Sequence, residues 1–116
     1  MLKEINIKTD MPPANIAIAR IEEEIEVHKM IGDKAIKFIH GYGSSTLGGG
    51  KIRMQLHRLL PGWKKRGFIY DYIKGENFTT NTIREMRLPP AVREILIQDA
   101  LFSTVNKGVT VIILQP

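Results

Sequence analysis

Residues 38–58 read FIHGYGSSTLGGGKIRMQLHR. His40 opens a Gly41-Tyr42-Gly43 turn, the hydroxyls of Ser44, Ser45 and Thr46 follow, and Gly48, Gly49 and Gly50 lead to Lys51. These residue types in this order suit the binding of an anion. Glycines let backbone N–H groups come close to an anion's oxygens. Hydroxyls add donors, and a helix N-terminus leaves its first amides unpaired and partly positive. His40, at the end of an apolar run, has two possible roles. It is a general base or phosphate donor, or it hydrogen-bonds the loop backbone and holds its shape. The loop has an alternative reading too, a crossover in which the glycines serve the turn alone.

The well-defined nucleotide motifs fail here. A P-loop needs Gly at position 45 and a hydroxyl at 52, where this chain has Ser45 and Ile52. A dinucleotide fingerprint beginning at Gly41 and Gly43 needs Gly at 46, which is Thr46, and an acid some way downstream, where the sequence is basic. A nucleophile elbow beginning at Gly43 needs Gly at 47, which is Leu47. Of the remaining histidines, His28 is expected at the edge of the core and His57 on the solvated side of a helix. The three histidines lack metal-ligand spacing and the chain has no cysteine, so neither a metal nor a cofactor is expected.

Charge narrows the choice of partner. The formal net charge of this 116-residue chain is +5, and between Lys34 and Tyr70 there is no Asp or Glu. That span carries Lys34, Lys37, Lys51, Arg53, Arg58, Lys64, Lys65 and Arg66, while acids gather at Glu22, Glu23, Glu24 and Glu26. The pattern reads as a cationic surface around the glycine loop, or as two solvated faces of opposite sign. A cysteine-free chain with no apolar leader and no run long enough to span a bilayer fits a cytoplasmic protein without a signal peptide.

The elements that must position these residues alternate in type. Leu2–Lys8 reads as a short strand stopped by Pro12-Pro13. Ala14–Ile31 reads as a helix with Ala14, Ala17, Ile18, Ile21, Ile25 and His28 on one face, ended by Gly32. Residues 34–40 form a buried strand, and the glycine loop follows. A second helix has Ile52, Leu56 and Leu59 inward and stops near Pro61-Gly62. Residues 67–73 are a third strand, 77–87 a short helix, and Pro89-Pro90 starts another with Val92, Ile95, Leu96 and Phe102 inward. Residues 108–114 are apolar enough for an interior strand. The expectation is one α/β domain over residues 1–116: a two-layer sandwich with a mixed four-stranded sheet, two main helices, and a helical insertion at 79–102 before the last strand.

Ile39-His40-Gly41-Tyr42-Gly43 ending a strand, a basic residue at the start of the next helix, and a closing Gly108-Val109-Thr110-Val111 strand together resemble the Smr (small MutS-related) domain. The resemblance covers about residues 2–78 and 103–114. It implies a sandwich similar to the C-terminal domain of bacterial translation initiation factor three, and nucleic-acid binding, with endonuclease activity on DNA or RNA in many members. By position, His40, Gly41 and Gly43 would carry the family's substrate loop, and Lys51 and Arg53 its basic helix start. The family's Leu-Asp-x-His-Gly motif is replaced by Ile5-Asn6-Ile7-Lys8-Thr9. Asn6 cannot act as a general base and Lys8 is a cation near neutral pH, which leaves His40 as the acid–base residue and Asp10 as a remote substitute.

The expected function is therefore contact with a DNA or RNA backbone. The contacting residues are Lys8, Gly41, Tyr42, Gly43, Ser44, Ser45, Lys51, Arg53 and the Lys64-Lys65-Arg66 cluster. Tyr42 and Trp63 are candidates for stacking on bases. An endonuclease dependent on His40 and a protein-interaction module using the insertion are the alternatives.

Overall fold

The computed structural model describes residues 2–10, 12–41, 49–99 and 102–116. In chain order the elements are β1 (Lys3–Asn6), α1 (Ala14–Ile31), β2 (Ala35–Ile39), α2 (Gly49–Lys65), β3 (Asp71–Lys74), a 3-10 turn (Gly75–Asn77), α3 (Thr80–Met86), α4 (Pro90–Ile97) and β4 (Val109–Ile113). They build a mixed α/β sandwich around one four-stranded sheet of order β1-β2-β4-β3.

β1 and β2 are parallel, in register Lys3 to Ile36, and α1 supplies the crossover that a parallel pair requires. β4 lies antiparallel between β2 and β3, with Ile36 opposite Ile112 and Ile73 opposite Val111. Its five residues are all buried, as the nearly continuous apolar run predicts for an interior strand. Side-chain alternation sends Ile36, Phe38 and Ile112 to one face of the sheet, where they meet Ile21 and Ile25 of α1 and Leu56 and Leu60 of α2.

α1 has the predicted bounds. Pro13 precedes it, and the Gly32 N–H closes it on the carbonyls of His28 and Lys29. His28 sits at the rim of the core, as expected, and is tied there: Nδ1 lies 2.6 Å from Asp33 and Nε2 3.2 Å from Glu24. The second helix departs from expectation. α2 passes through Pro61 and ends at Lys65, because Leu60 and Trp63, both buried, hold its last turns on the core. Proline removes one hydrogen bond from a helix interior, and here that packing compensates for the loss. Leu59, predicted inward, is 37% exposed and Leu60 takes its place. β3 begins at Asp71, four residues later than expected, because Gly67–Tyr70 are used in the turn out of α2.

The insertion lies on the opposite face of the sheet. Ile83, Leu88, Val92 and Leu96 pack over Ala35, Ile73, Val111 and Ile113. The Thr79 hydroxyl accepts from the Thr82 N–H to start α3. Alternation also turns Lys37 to this face, where it is 2% exposed. Its Nζ donates to both carboxylate oxygens of Asp99, at 2.7 and 2.9 Å, and lies 3.1 Å from Glu4. Among the described residues no helix is long and apolar enough to cross a membrane.

Candidate functional site

β1, β2 and β3 run in one direction and β4 in the other. The chain leaving Asn6, Ile39 and Lys74 and the chain entering Val109 therefore meet at one end of the sheet. Arg53 and His57 of α2 reach it, Arg53 through Glu76 and His57 through Thr110.

Backbone bonds fix that end. The Gly108 carbonyl accepts from both the His40 and Gly41 amides, each at 3.0 Å, and the Ile7 N–H donates to the Ile39 carbonyl at 2.9 Å. Gly41 has φ +87, in the left-handed region that glycine tolerates. The aliphatic stem of Lys8 lies against it, since a Cβ on Gly41 would stand 3.6 Å from Lys8 Cδ. Gly75 has a different reason to be glycine: a Cβ there would sit 1.8 Å from the Asn106 carbonyl oxygen. The Asn6 side chain accepts from the Lys8 N–H at 3.0 Å and so closes a local turn.

His40 is fully buried. Its Nδ1 is 2.9 Å from the Gly41 carbonyl and its Nε2 is 2.8 Å from Thr110 Oγ1. These partners assign the protons. A carbonyl only accepts, so Nδ1 carries the hydrogen. Burial, and next the Arg53 guanidinium, lower the His40 pKa and keep the ring neutral. Nε2 must then accept, and the Thr110 hydroxyl donates to it. The hydroxyl oxygen in turn accepts from His57 Nε2 at 3.2 Å. The two imidazoles stand edge to face with centroids 6.0 Å apart.

The expectation that His57 is solvated is corrected by this geometry. His57 is partly buried beside Thr110, and its pKa is pushed down to about 4 by burial first, then by Arg53, His40 and Lys74. One turn before it, Arg53 Nη2 donates to Glu76 Oε2 at 2.9 Å. Burial alone would raise the Glu76 carboxyl. Its own backbone hydrogen bond and the Arg53 cation outweigh burial and hold it below the usual range. Arg53 Nε and Glu76 Oε1 are buried without a partner among the described residues.

The predicted contact residues divide in space. Lys8, His40, Gly41 and Arg53 gather at the sheet end, and Lys51 lies in the first turn of α2, two residues before Arg53. Lys64, Lys65 and Arg66 lie at the opposite end of α2, roughly 20 Å from Lys51 at 1.5 Å per residue. They do not share one surface with Lys8 and Gly41. Tyr42, Gly43, Ser44 and Ser45 lie outside the described residues. Trp63, a candidate for base stacking, is 2% exposed and belongs to the core against Phe68.

Folding also brings acids to the acid-free stretch. Glu76 takes Arg53, Asp71 takes Lys64 at 3.3 Å, and Asp99 and Glu4 take Lys37. Two cations near the site that the sequence did not single out are Lys74, at the end of β3, and Lys107, in the turn before β4. The signal that would have found Lys74 is its place opposite Thr110 across the β3–β4 pair. No cluster among the described residues is suited to a metal ion. Compared with protein-family models, with curated proteins and with solved structures, the chain matches none.

Proposed function

We propose that this end of the sheet binds the phosphate backbone of a nucleic acid, DNA or RNA. The observation that carries the reading is that Lys8, Lys74 and Lys107 stand where the chain leaves or enters the sheet at this end and Lys51 lies in the first turn of α2, with no ion pair to any of the four among the described residues. Phosphates are recognised by such cations and by exposed backbone amides with little regard to base sequence. In this reading His40 acts on the loop and not on the ligand. Both its ring nitrogens are occupied, and its hydrogen bond to Gly41 sets the path of the chain.

Four phosphate contacts on duplex DNA give a slope of log affinity against log salt of about −3.6. The test is fluorescence anisotropy with a labelled duplex and a labelled structured RNA across a salt series. Lys8→Glu with Lys51→Glu is expected to weaken binding and flatten the slope by about 2. A salt-independent affinity, or one untouched by the double variant, would overturn the reading.

Hydrolysis is the second reading, and one observation favours it. His57 is neutral and its Nδ1 has no partner among the described residues. A ring with a pKa near 4 is a weak base. The same binding mixtures, run with and without magnesium and read for product length, separate the two. Cleavage lost in His57→Ala supports hydrolysis, and intact substrate supports binding alone.

A further inference from the structure

The second face of the molecule carries a cavity that the phosphate site does not use. It lies between α3 and α4 and has a volume of about 580 Å³. That is within the usual range for ligand sites. Ile83 and Leu88, both buried, contribute to its lining, and Ile97 and Phe102 add apolar surface. Ile97 is 48% exposed, a large apolar side chain open to solvent at the mouth of an apolar hollow. The charged lining is of one sign. Arg84 and Arg87 come from the α3 side and Arg93 from α4, and among the described residues no acid lines the cavity. None of the three arginines has an ion pair among the described residues.

The local chain path explains the arrangement. Arg87 ends α3 in the left-handed conformation at φ 52, and Leu88-Pro89 turns directly into α4. The short turn holds the two helices apart as walls, with Leu88 buried between them. The far side is closed by Phe102, which stacks edge to face on Phe78, while the Ser103 N–H bonds the Phe78 carbonyl at 2.8 Å. The cavity is thus held by packing and hydrogen bonds on the sheet side.

We propose that this cavity docks an acidic peptide segment of a partner protein, inserting one large apolar side chain between carboxylates that pair with the arginines. The apolar lining selects the anchor. Cations on both walls select acids on both sides of it, which a single-headed anion such as a fatty acid does not supply. Guanidinium groups suit carboxylates because they bind them in a planar, two-pronged geometry. The proposal is independent of the phosphate site, which lies at the end of the sheet under α2.

The experiment is fluorescence anisotropy with the whole chain and three labelled hexapeptides: Asp-Glu-Leu-Phe-Glu-Asp, Asp-Glu-Ala-Ala-Glu-Asp and Lys-Lys-Leu-Phe-Lys-Lys. The first is expected to bind, and the others to bind roughly tenfold or more weakly, since each lacks one half of the match. Arg93→Glu and Ile97→Glu are each expected to weaken the first peptide by roughly tenfold or more. Both positions are exposed, so the fold is kept, and circular dichroism checks it. Lys51→Glu is expected to leave peptide binding unchanged. Equal binding of the first two peptides, or loss with Lys51→Glu and not with Arg93→Glu, would overturn the proposal. Dodecanoate binding at Ile97 without peptide binding would also overturn it and give the cavity to an acyl chain. A dimer in sedimentation that Ile97→Glu dissociates would overturn it in favour of a second copy.

Discussion

Replacing Thr110 by Val keeps the side chain's shape and removes one oxygen. That oxygen makes two hydrogen bonds at once, donating to His40 at 2.8 Å and accepting from His57 at 3.2 Å. The two losses differ in cost. His40 is fully buried, so its abandoned Nε2 lone pair has no water to turn to, and a buried orphan costs about 2 kcal/mol. His57 is only partly buried, so the loss of its bond is nearer to about 1 kcal/mol. Thr110→Val should therefore destabilise the fold by about 3 kcal/mol. With an m-value of about 2 kcal/mol/M, the urea midpoint should fall by about 1.5 M. The assay is urea unfolding followed by circular dichroism, with m unchanged. A second measurement tests the bridge itself. In a His57→Leu background the same substitution should cost about 1 kcal/mol less, because one of the two bonds is already gone. A change below about 0.5 kcal/mol in the parent chain, or full additivity with His57→Leu, would refute the assignment of Thr110 as donor to one ring and acceptor from the other.

Acid should erode the same cluster. His57 has a folded pKa of about 4 against an ordinary 6.5, so below 6.5 the unfolded chain takes up a proton that the folded chain refuses. Stability should be intact above pH 6.5 and decline steadily towards pH 4, as read by urea midpoints and by imidazole chemical shifts; a His57 ring that titrates near 6.5 would remove the cause. Gly75→Ala places a methyl 1.8 Å from a backbone oxygen and should cost about 3 kcal/mol, seen as a lowered melting temperature. Lys37→Ala strips the buried cation from Asp99 and Glu4 and should cost about 3 kcal/mol. In hydrogen exchange the loss of protection should centre on β2 and the end of α4.

The elements that the sequence exposes are those decided by local chemistry. α1 is bracketed by Pro13 and Gly32 and carries a clean apolar face, so its bounds follow from neighbouring residues alone. β4 is apolar at nearly every position, which is enough to place it inside the sheet. Pro61 misleads because proline is a local stop signal, while the burial of Trp63 that overrides it depends on the tertiary core. The site divides in the same way. His40 and Gly41 stand out in a motif. His57 does not, because its partner Thr110 is more than fifty positions away and a helical wheel shows only neighbours. The cationic stretch from Lys34 to Lys65 looks unbroken in one dimension, yet Glu76, Asp71 and Asp99, which neutralise parts of it, all lie outside that stretch.

The order of the sheet bears on how the chain reaches this state. β4 follows every other strand in the chain but lies between β2 and β3, and the bond that joins His40 to Thr110 closes a separation of 70 residues. Until β4 is in place, β2 and β3 each present an open hydrogen-bonding edge, and β2 carries apolar side chains on both faces, with Lys37 as its one charge. Pairings this distant make folding slower than local helix formation, and open strand edges invite association with other chains. The helices can cover the faces of the sheet early, but its edges are satisfied only when β4 docks. During refolding, β4 docking should therefore be the step at which concentration decides between folding and aggregation.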